Sequence, residues 1–265
     1  MSINSNTHTI AFYNTENLFD VFTDNKTIEK DFSPTAVKNW TIKRYQDKIN
    51  KLGFVISKIG FDTSNKPPVL IGLAEVENDA VLKDLTQSDD LKNINYGFVH
   101  INSPDERGID VALLYDRDGF DVENAINIPI YIEDSSGKRD FTRDILLVTG
   151  FLFGDKVHVL VNHWPSRHEG SDKTDYKRIV ASSHLTGLIS SITLDDSNAQ
   201  IILTSNFLDK GNGPYKFLKS DIFDEKFLTQ HIGKYKGQPF RTYVGKKYQG
   251  GFSDHFPVFV QIQKF

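Results

Sequence analysis

Ser253-Asp254-His255-Phe256-Pro257 runs straight into the apolar stretch Val258–Ile262. An Asp-His pair at the mouth of a β-strand can bind a metal ion and hold a phosphate at once. Gly250 and Gly251 stand just before it and let a ligand approach the backbone closely. Adjacent residues of an extended chain point to opposite sides, so Asp254 and His255 orient each other only if the chain turns there. Taken alone, the pair also fits a plain surface turn. Four other polar groups stand at comparable strand boundaries, and the set has to be read together.

Working outward, short apolar runs read as buried strands at Thr9–Tyr13, Val69–Leu73, Gly108–Tyr115, Leu146–Phe153, Val157–Val161, Ile201–Thr204 and Phe256–Ile262. Two long helical patterns interrupt them. One follows Ser33-Pro34 and carries Tyr45, Ile49, Leu52, Val55, Ile56 and Ile59 at spacings of three and four, with Gly60 as its stop. The other runs from Asp172 to Ile192, with Tyr176, Ile179, Val180, Leu188, Ile189 and Ile192 on one stripe. A shorter helix covers Asp79–Leu85. Gly108–Tyr115 and Leu146–Val161 read as neighbouring strands with hairpin connections. Strands and helices mix without strict alternation, which predicts a mixed sheet pair covered by helices, not a doubly wound fold.

The chain has 265 residues, 38% hydrophobic and 25% charged. That is an ordinary globular composition. No Pro/Gly/Ser-rich linker or charge block divides it, so residues 1–265 read as a single domain. It has no cysteine, which excludes disulfides and thiolate metal sites. Any metal is then held by oxygen or His, as suits Mg²⁺, Mn²⁺ or Ca²⁺. The net charge of −4 gives no whole-chain footprint for long nucleic acid. No signal peptide and no membrane-length apolar run is visible, so the expected location is cytoplasmic, or secreted if a signal has been trimmed. The oligomeric state is not legible.

Each boundary residue has a bland reading beside the functional one. Ile10, Phe12 and Asn14 share a strand face, and so do Val69, Ile71, Leu73 and Glu75. A carboxylate continuing a buried row is costly unless paired or on a metal; Glu75 equally fits a helix cap or a lysine partner. Arg107 opens a strand and can clamp a phosphate, or pair with Asp105 or Glu106. Asp110 points into that strand and can orient a neighbour. His163 closes the row Val157, Val159, Val161, as many satisfied core histidines do, but Asn162, Ser166, Arg167 and His168 surround it with phosphate-type donors. Jointly these groups form the kit that phosphodiester hydrolysis asks for: a carboxylate-bound divalent ion, donors around the phosphate oxygens and a positioned base.

At this point the chain resembles the endonuclease/exonuclease/phosphatase superfamily, most of all its bacterial members of unassigned substrate. The resemblance runs from Tyr13-Asn14-Thr15-Glu16-Asn17-Leu18-Phe19-Asp20 through Glu75-Val76-Glu77-Asn78, Arg107-Gly108-Ile109-Asp110 and Asn162-His163-Trp164-Pro165-Ser166 to Ser253-Asp254-His255-Phe256-Pro257, in the family's order. It implies a four-layer α/β/β/α sandwich of two mixed β-sheets flanked by helices, with the site at one rim. It implies a Mg²⁺- or Mn²⁺-dependent hydrolase of phosphodiesters or phosphomonoesters, acting on nucleic acid or a small phosphate ester. By motif, Glu75 is the principal metal ligand and Asn14 lies beside metal and phosphate. His163 donates to the scissile phosphate, Asp254 ligates metal or orients His255, and His255 binds the phosphate. The resemblance also implies Arg107 as a phosphate contact, while Asn162 and Arg167 are read as substrate contacts from the donor-rich loop around His163.

One segment departs from the pattern. The family usually carries Gly-Asp-Phe-Asn-Asp after a buried strand, where this chain has Ser205-Asn206-Phe207-Leu208-Asp209. Asn206 can orient a water but cannot take its proton, and Leu208 can do neither. Losing a general base costs about 10²–10⁴ in rate, and losing a transition-state donor about 10²–10³. The chain is then either a weak or specialised hydrolase in which Asp209 or another carboxylate substitutes, or a catalytically silent phosphate- or nucleic-acid-binding homologue. A third reading, a structural protein without a cleft, requires Glu75 and His255 to lie far apart. Lys234, Lys236, Arg241, Lys246 and Lys247, interleaved with Tyr235, Phe240, Tyr243 and Tyr248, suit either a grip on nucleic acid or a phosphorylated headgroup, or a solvated loop.

Overall fold

Residue alternation along β1 (Thr7–Leu18) sends Ala11 and Tyr13 to one apolar layer and Ile10 to another, so this strand must be covered on both faces. The computed structural model describes residues 6–22, 31–133, 136–165, 171–197, 199–203 and 214–265. After β1 come α1 (Ile42–Lys58), the single turn α2 (Phe61–Ser64), β2 (Leu70–Val76), α3 (Asp79–Thr86), β3 (Tyr96–His100), β4 (Asp110–Asp116) and β5 (Phe120–Ile128). There follow the two-residue strands β6 (Ile132–Glu133) and β7 (Arg139–Asp140), then β8 (Ile145–Leu152), β9 (Asp155–Val161), α4 (Ser171–Asp195), β10 (Gln200–Leu203) and β11 (Tyr215–Ile222). The short pair β12 (Tyr243–Val244) and β13 (Lys247–Tyr248) precedes β14 (Val258–Lys264).

Among the described residues, six strands form one sheet in the order β11-β14-β1-β2-β4-β3, and four form a second in the order β10-β9-β8-β5. Both are mixed: β1 runs parallel to β2 and β10 to β9, and the remaining pairings are antiparallel. Three apolar layers hold the assembly. Tyr45, Leu52 and Ile56 of α1 pack on Tyr13, Ile71 and Leu114. Leu70, Ala74 and Leu113 face Leu146, Val148, Val159 and Val161 between the sheets. Ala181 and Leu185 of α4 cover Ile145, Leu147 and Leu160. Helix, sheet, sheet, helix is the four-layer sandwich expected. Each fully buried Leu or Ile contributes about 1.5–3 kcal/mol.

The differences from the sequence reading have physical causes. The first long helix starts at Ile42, not after Pro34. Thr41 Oγ1 accepts from Arg44 N as its cap, Asn39 is left-handed (φ 48), and Trp40 turns into the core. A threonine cap of this kind satisfies one of the orphan donors of the first turn. In α4, Val180, Leu188, Ile189 and Ile192 pack as the stripe requires, but Tyr176 and Ile179 are exposed. Strands β8 and β9 form the expected hairpin, whereas β4 lies in the other sheet between β2 and β3. Strands β3, β5 and β11 were not legible as apolar runs. All three are sheet edges. Edge strands carry polar residues that block further pairing, as Asp121, Glu123 and Asn124 do in β5 and Lys216 and Lys219 in β11.

Candidate active site

The parallel strands β1 and β2 end side by side, and both are bulged there. The register slips between Asn14 and Leu18 on β1 and between Ala74 and Val76 on β2. Glu16, Asn17 and Glu75 adopt left-handed φ of 54°, 53° and 63°. Each is a strained choice for a side chain with a Cβ. Strict alternation assigns Glu75 to the helix-covered face with Ile71 and Leu73. The bulge gives that face to Val76 instead and re-aims Glu75 to the rim.

There the carboxylate is fixed by neutral donors. Asn14 Nδ2 donates to Glu75 Oε1 at 3.1 Å, and Asn17 N donates to Oε2 at 2.9 Å. Asn14, buried, accepts at Oδ1 from Glu16 N at 2.9 Å, so its amide is held at both ends. His163 arrives from the end of β9, in the facing sheet, with Nε2 3.6 Å from Glu75 Oε1. Burial, then the charges of Arg143 and Arg107, push the His163 imidazole well below the usual histidine range. Its Nδ1 is buried with no hydrogen-bond partner among the described residues.

The Ser253-Asp254-His255 turn is tied to the same place. Ser253 Oγ donates to Asn14 O at 2.7 Å and accepts from His255 N at 3.2 Å. The chain does turn there: His255 Nδ1 lies 2.7 Å from Asp254 Oδ1, and Arg241 Nη2 donates to Asp254 Oδ2 at 2.8 Å. The hydrogen bond to Asp254 raises the proton affinity of His255 against the opposing effect of burial, and Glu75 and Glu16 add to it through space. Burial would raise the Asp254 carboxyl, but His255 and Arg241 together hold it below the usual carboxylate range. Glu75 and His255 therefore sit within electrostatic reach, both anchored on Asn14.

Arg107 donates from Nη2 to Asn17 Oδ1, at the same rim. Asn162 is buried and its amide donates to Leu160 O at 3.2 Å, back along its own strand. Asp110 accepts from Ser103 N at 3.1 Å and faces His100 Nε2 at 3.4 Å, so it braces the start of β4. Ser166, Arg167, His168, Asn206, Leu208 and Asp209 lie outside the described residues.

Several pairings at the rim escaped the sequence reading. Arg143 and Asp105 form a buried ion pair at 2.9 Å that joins the two sheets' loops. Asp105 also accepts from Arg107 N at 3.0 Å, and Arg143 Nη2 donates to Trp164 O at 3.4 Å. Glu16 accepts from Thr242 N at 2.6 Å and Tyr243 N at 3.3 Å. Lys48 is fully buried beneath them. Its signal was available: a lysine between Tyr45 and Ile49 on the apolar stripe of α1. Much of the basic-aromatic stretch packs inward. Tyr243 stands against Trp40 and Phe32, Tyr248 under Arg44, and Phe240 against Phe252.

Gly251 permits the close approach of the 240s segment to this turn. A Cβ there would meet Phe240 O at 2.1 Å and Arg241 O at 2.4 Å, both backbone atoms that cannot swing aside. Gly251→Ala is expected to cost about 1–3 kcal/mol, read as a lowered Tm. An unchanged Tm would contradict this packing.

The donor set fits a hard divalent cation. Glu75 has no lysine or arginine paired with it among the described residues, and it is oriented by neutral amides. Among the described residues no three His, Cys, Asp or Glu side chains gather into an all-protein cage. Glu75 is the carboxylate there that could hold such an ion, with water and a phosphate completing its shell. No helix among the described residues is long and apolar enough to cross a membrane.

Among curated proteins no sequence matches this chain. Solved structures do resemble it. TDP2 from Caenorhabditis elegans aligns over 99% of this chain and 77% of its own, at 15% identity and a TM-score of 0.55. A mannosyl-6-phosphatase of Bacteroides thetaiotaomicron aligns over 96% of this chain and 99% of its own, at 14% identity and a TM-score of 0.51. D. rerio TDP2, complexed with single-strand DNA product, aligns over 97% and 99%, at 12% identity and a TM-score of 0.50. At such identities the likeness concerns the fold. The sequence profile described as the Endonuclease/Exonuclease/phosphatase family matches residues 9–214 and 200–264, so the chain belongs to that family.

Proposed function

We propose that the protein hydrolyses phosphate esters at this rim with a Mg²⁺ or Mn²⁺ ion held by Glu75. One observation carries the reading: Asn14 bonds Glu75 through its side chain and Ser253 through its backbone, so a carboxylate near residue 75 and an Asp-His pair near residue 255 meet. The ion, when bound, neutralises phosphate charge and activates an oxygen. His255, kept protonated by Asp254, donates to the phosphate and to the charge that develops on it. With both Asp254 oxygens engaged by His255 and Arg241, its proposed role is orientation and not metal ligation. His163, neutral at physiological pH, supplies an uncharged donor, Arg107 a cation, and Asn14 holds Glu75 in place. That relatives of this fold include a mannosyl-6-phosphatase and a TDP2 with single-strand DNA product supports phosphate-ester chemistry and leaves both small esters and nucleic acid as substrates to test.

The test is cleavage of single- and double-stranded DNA, RNA, bis-p-nitrophenyl phosphate and p-nitrophenyl phosphate with Mg²⁺ and Mn²⁺. Turnover should fall about 10²-fold or more in both Glu75→Ala and His255→Ala; activity within about tenfold of wild type in both removes the proposal.

Asn206 and Leu208 favour a second reading, a silent phosphate binder. Joint replacement Asn206→Asp with Leu208→Asn restores a base and a donor, and is expected to raise bis-p-nitrophenyl phosphate turnover about 10²-fold or more. If the restored protein stays inert while Mn²⁺ or phosphate binding persists, those two positions are not what limits it.

A further inference from the structure

Among the described residues, Lys48 is the largest charged side chain that the core encloses completely, at 1% exposure. A buried ammonium costs several kcal/mol unless its protons are satisfied, and this one has no ion pair among the described residues. It donates instead to Thr242 Oγ1 at 2.6 Å and to Phe252 O. Both partners lie directly behind the site. Thr242 carries the N–H that binds the Glu16 carboxylate. Phe252 precedes Ser253, whose hydroxyl holds Asn14 O and His255 N. Two neighbours on α1 act on the same loop: Lys51 donates to Gly250 O at 2.5 Å, and Arg44 lies over the Tyr248 ring at 4.3 Å. Residues 44, 48 and 51 thus make one basic stripe that clasps segment 241–252.

The geometry points to Lys48 as a positioning residue of this site, one that fastens Thr242 and Phe252 to α1 and thereby fixes Glu16 on one side and the Ser253-Asp254-His255 turn on the other. A side chain that merely fills space would be apolar here, because the rest of the stripe is Tyr45, Ile49 and Leu52. The charged groups around it are Glu16 on β1, Asp254 in the turn, Glu75 on β2 and Lys51 on its own helix. Burial outweighs the three carboxylates and brings Lys48 down to about 8. A lysine whose folded value is depressed destabilises the fold while charged. That cost is present below pH 8 and fades as the pH rises toward the ordinary lysine value of 10.5.

The test is backbone amide exchange at neutral pH on the full chain. Lys48→Met keeps the stem and removes the donors. Protection at Thr242, Tyr243 and His255 should fall at least tenfold, while Ile71 and Leu113 in the sheet centre stay within twofold. Lys48→Arg, which remains charged and can donate, should recover most of it. The Tm of Lys48→Met minus that of the wild type should also shrink between pH 8 and pH 10. Turnover of bis-p-nitrophenyl phosphate should fall about 10–100-fold in Lys48→Met, as for other residues that orient a working side chain. Protection at the three amides within twofold of wild type overturns the inference. Should Lys48→Met fail to fold, Lys48→Gln is read by the same three amides. The turnover arm alone rests on the hydrolase reading, so an inactive wild type defeats that reading and leaves the exchange result to decide this one.

Discussion

Glu75→Gln is expected to lower metal-supported turnover by about 10³-fold, the loss that several kcal/mol of transition-state charge stabilisation represents. The substitution is nearly isosteric. A glutamine can still accept from Asn14 Nδ2 or Asn17 N through its one remaining oxygen, and the left-handed backbone at φ 63° stays as it is. What disappears is the negative charge. Kinetics on bis-p-nitrophenyl phosphate and Mn²⁺ calorimetry should therefore fail together while the far-ultraviolet circular dichroism is preserved. A variant that keeps its affinity for Mn²⁺ would place the ion elsewhere and remove Glu75 from the centre of the chemistry.

Asp254→Asn should move the pH dependence in a definite direction. The hydrogen bond to Asp254 is the main reason that His255 stays protonated above the ordinary histidine value, and burial works against it. Without the carboxylate, burial is less opposed, the imidazolium is lost at lower pH, and the alkaline limb of kcat moves toward acid. At pH 7 the loss should approach that of His255→Ala, about 10²–10³-fold. The double variant should be little worse than either single one, since the two residues act as a unit. Stability follows the same linkage. A raised histidine contributes fully below its unfolded value near 6.5 and loses the contribution as pH climbs through the folded value. A lowered carboxyl contributes above its unfolded value of 3.8 and loses it in acid. The pair therefore supports the fold best between those limits. A pH profile identical in Asp254→Asn and wild type would show that His255 does not depend on its neighbour.

Much of the architecture was legible because the central strands are covered on both faces. Val69–Leu73, Leu146–Phe153 and Val157–Val161 are nearly pure apolar runs, and only a buried strand needs that. Of the four edge strands of the two main sheets, β3, β5 and β11 were not legible, whereas β10 was, within Ile201–Thr204. At the site, Asn14 and His163 follow from alternation: each continues the inter-sheet face of its strand. Glu75 did not, because a bulge breaks the period of two at the residue concerned. Arg143 with Asp105, Glu16 with Thr242, and Lys48 with Phe252 are pairings across 38 to more than 200 residues, and no local pattern encodes them.

Strand β14 lies in the sheet interior, flanked by β11 and β1, and the turn that carries Ser253 and His255 leads directly into it. Its Gln263 pairs with Thr7, on the first of the strands. During synthesis the early strands can associate, but β1 waits with an open edge, and Asn14 lacks its bond from Ser253. A ribosome-bound product that stops short of Ser253 therefore lacks one side of the proposed site. The groups gathered on Asn14 come together only after translation has passed the turn before β14.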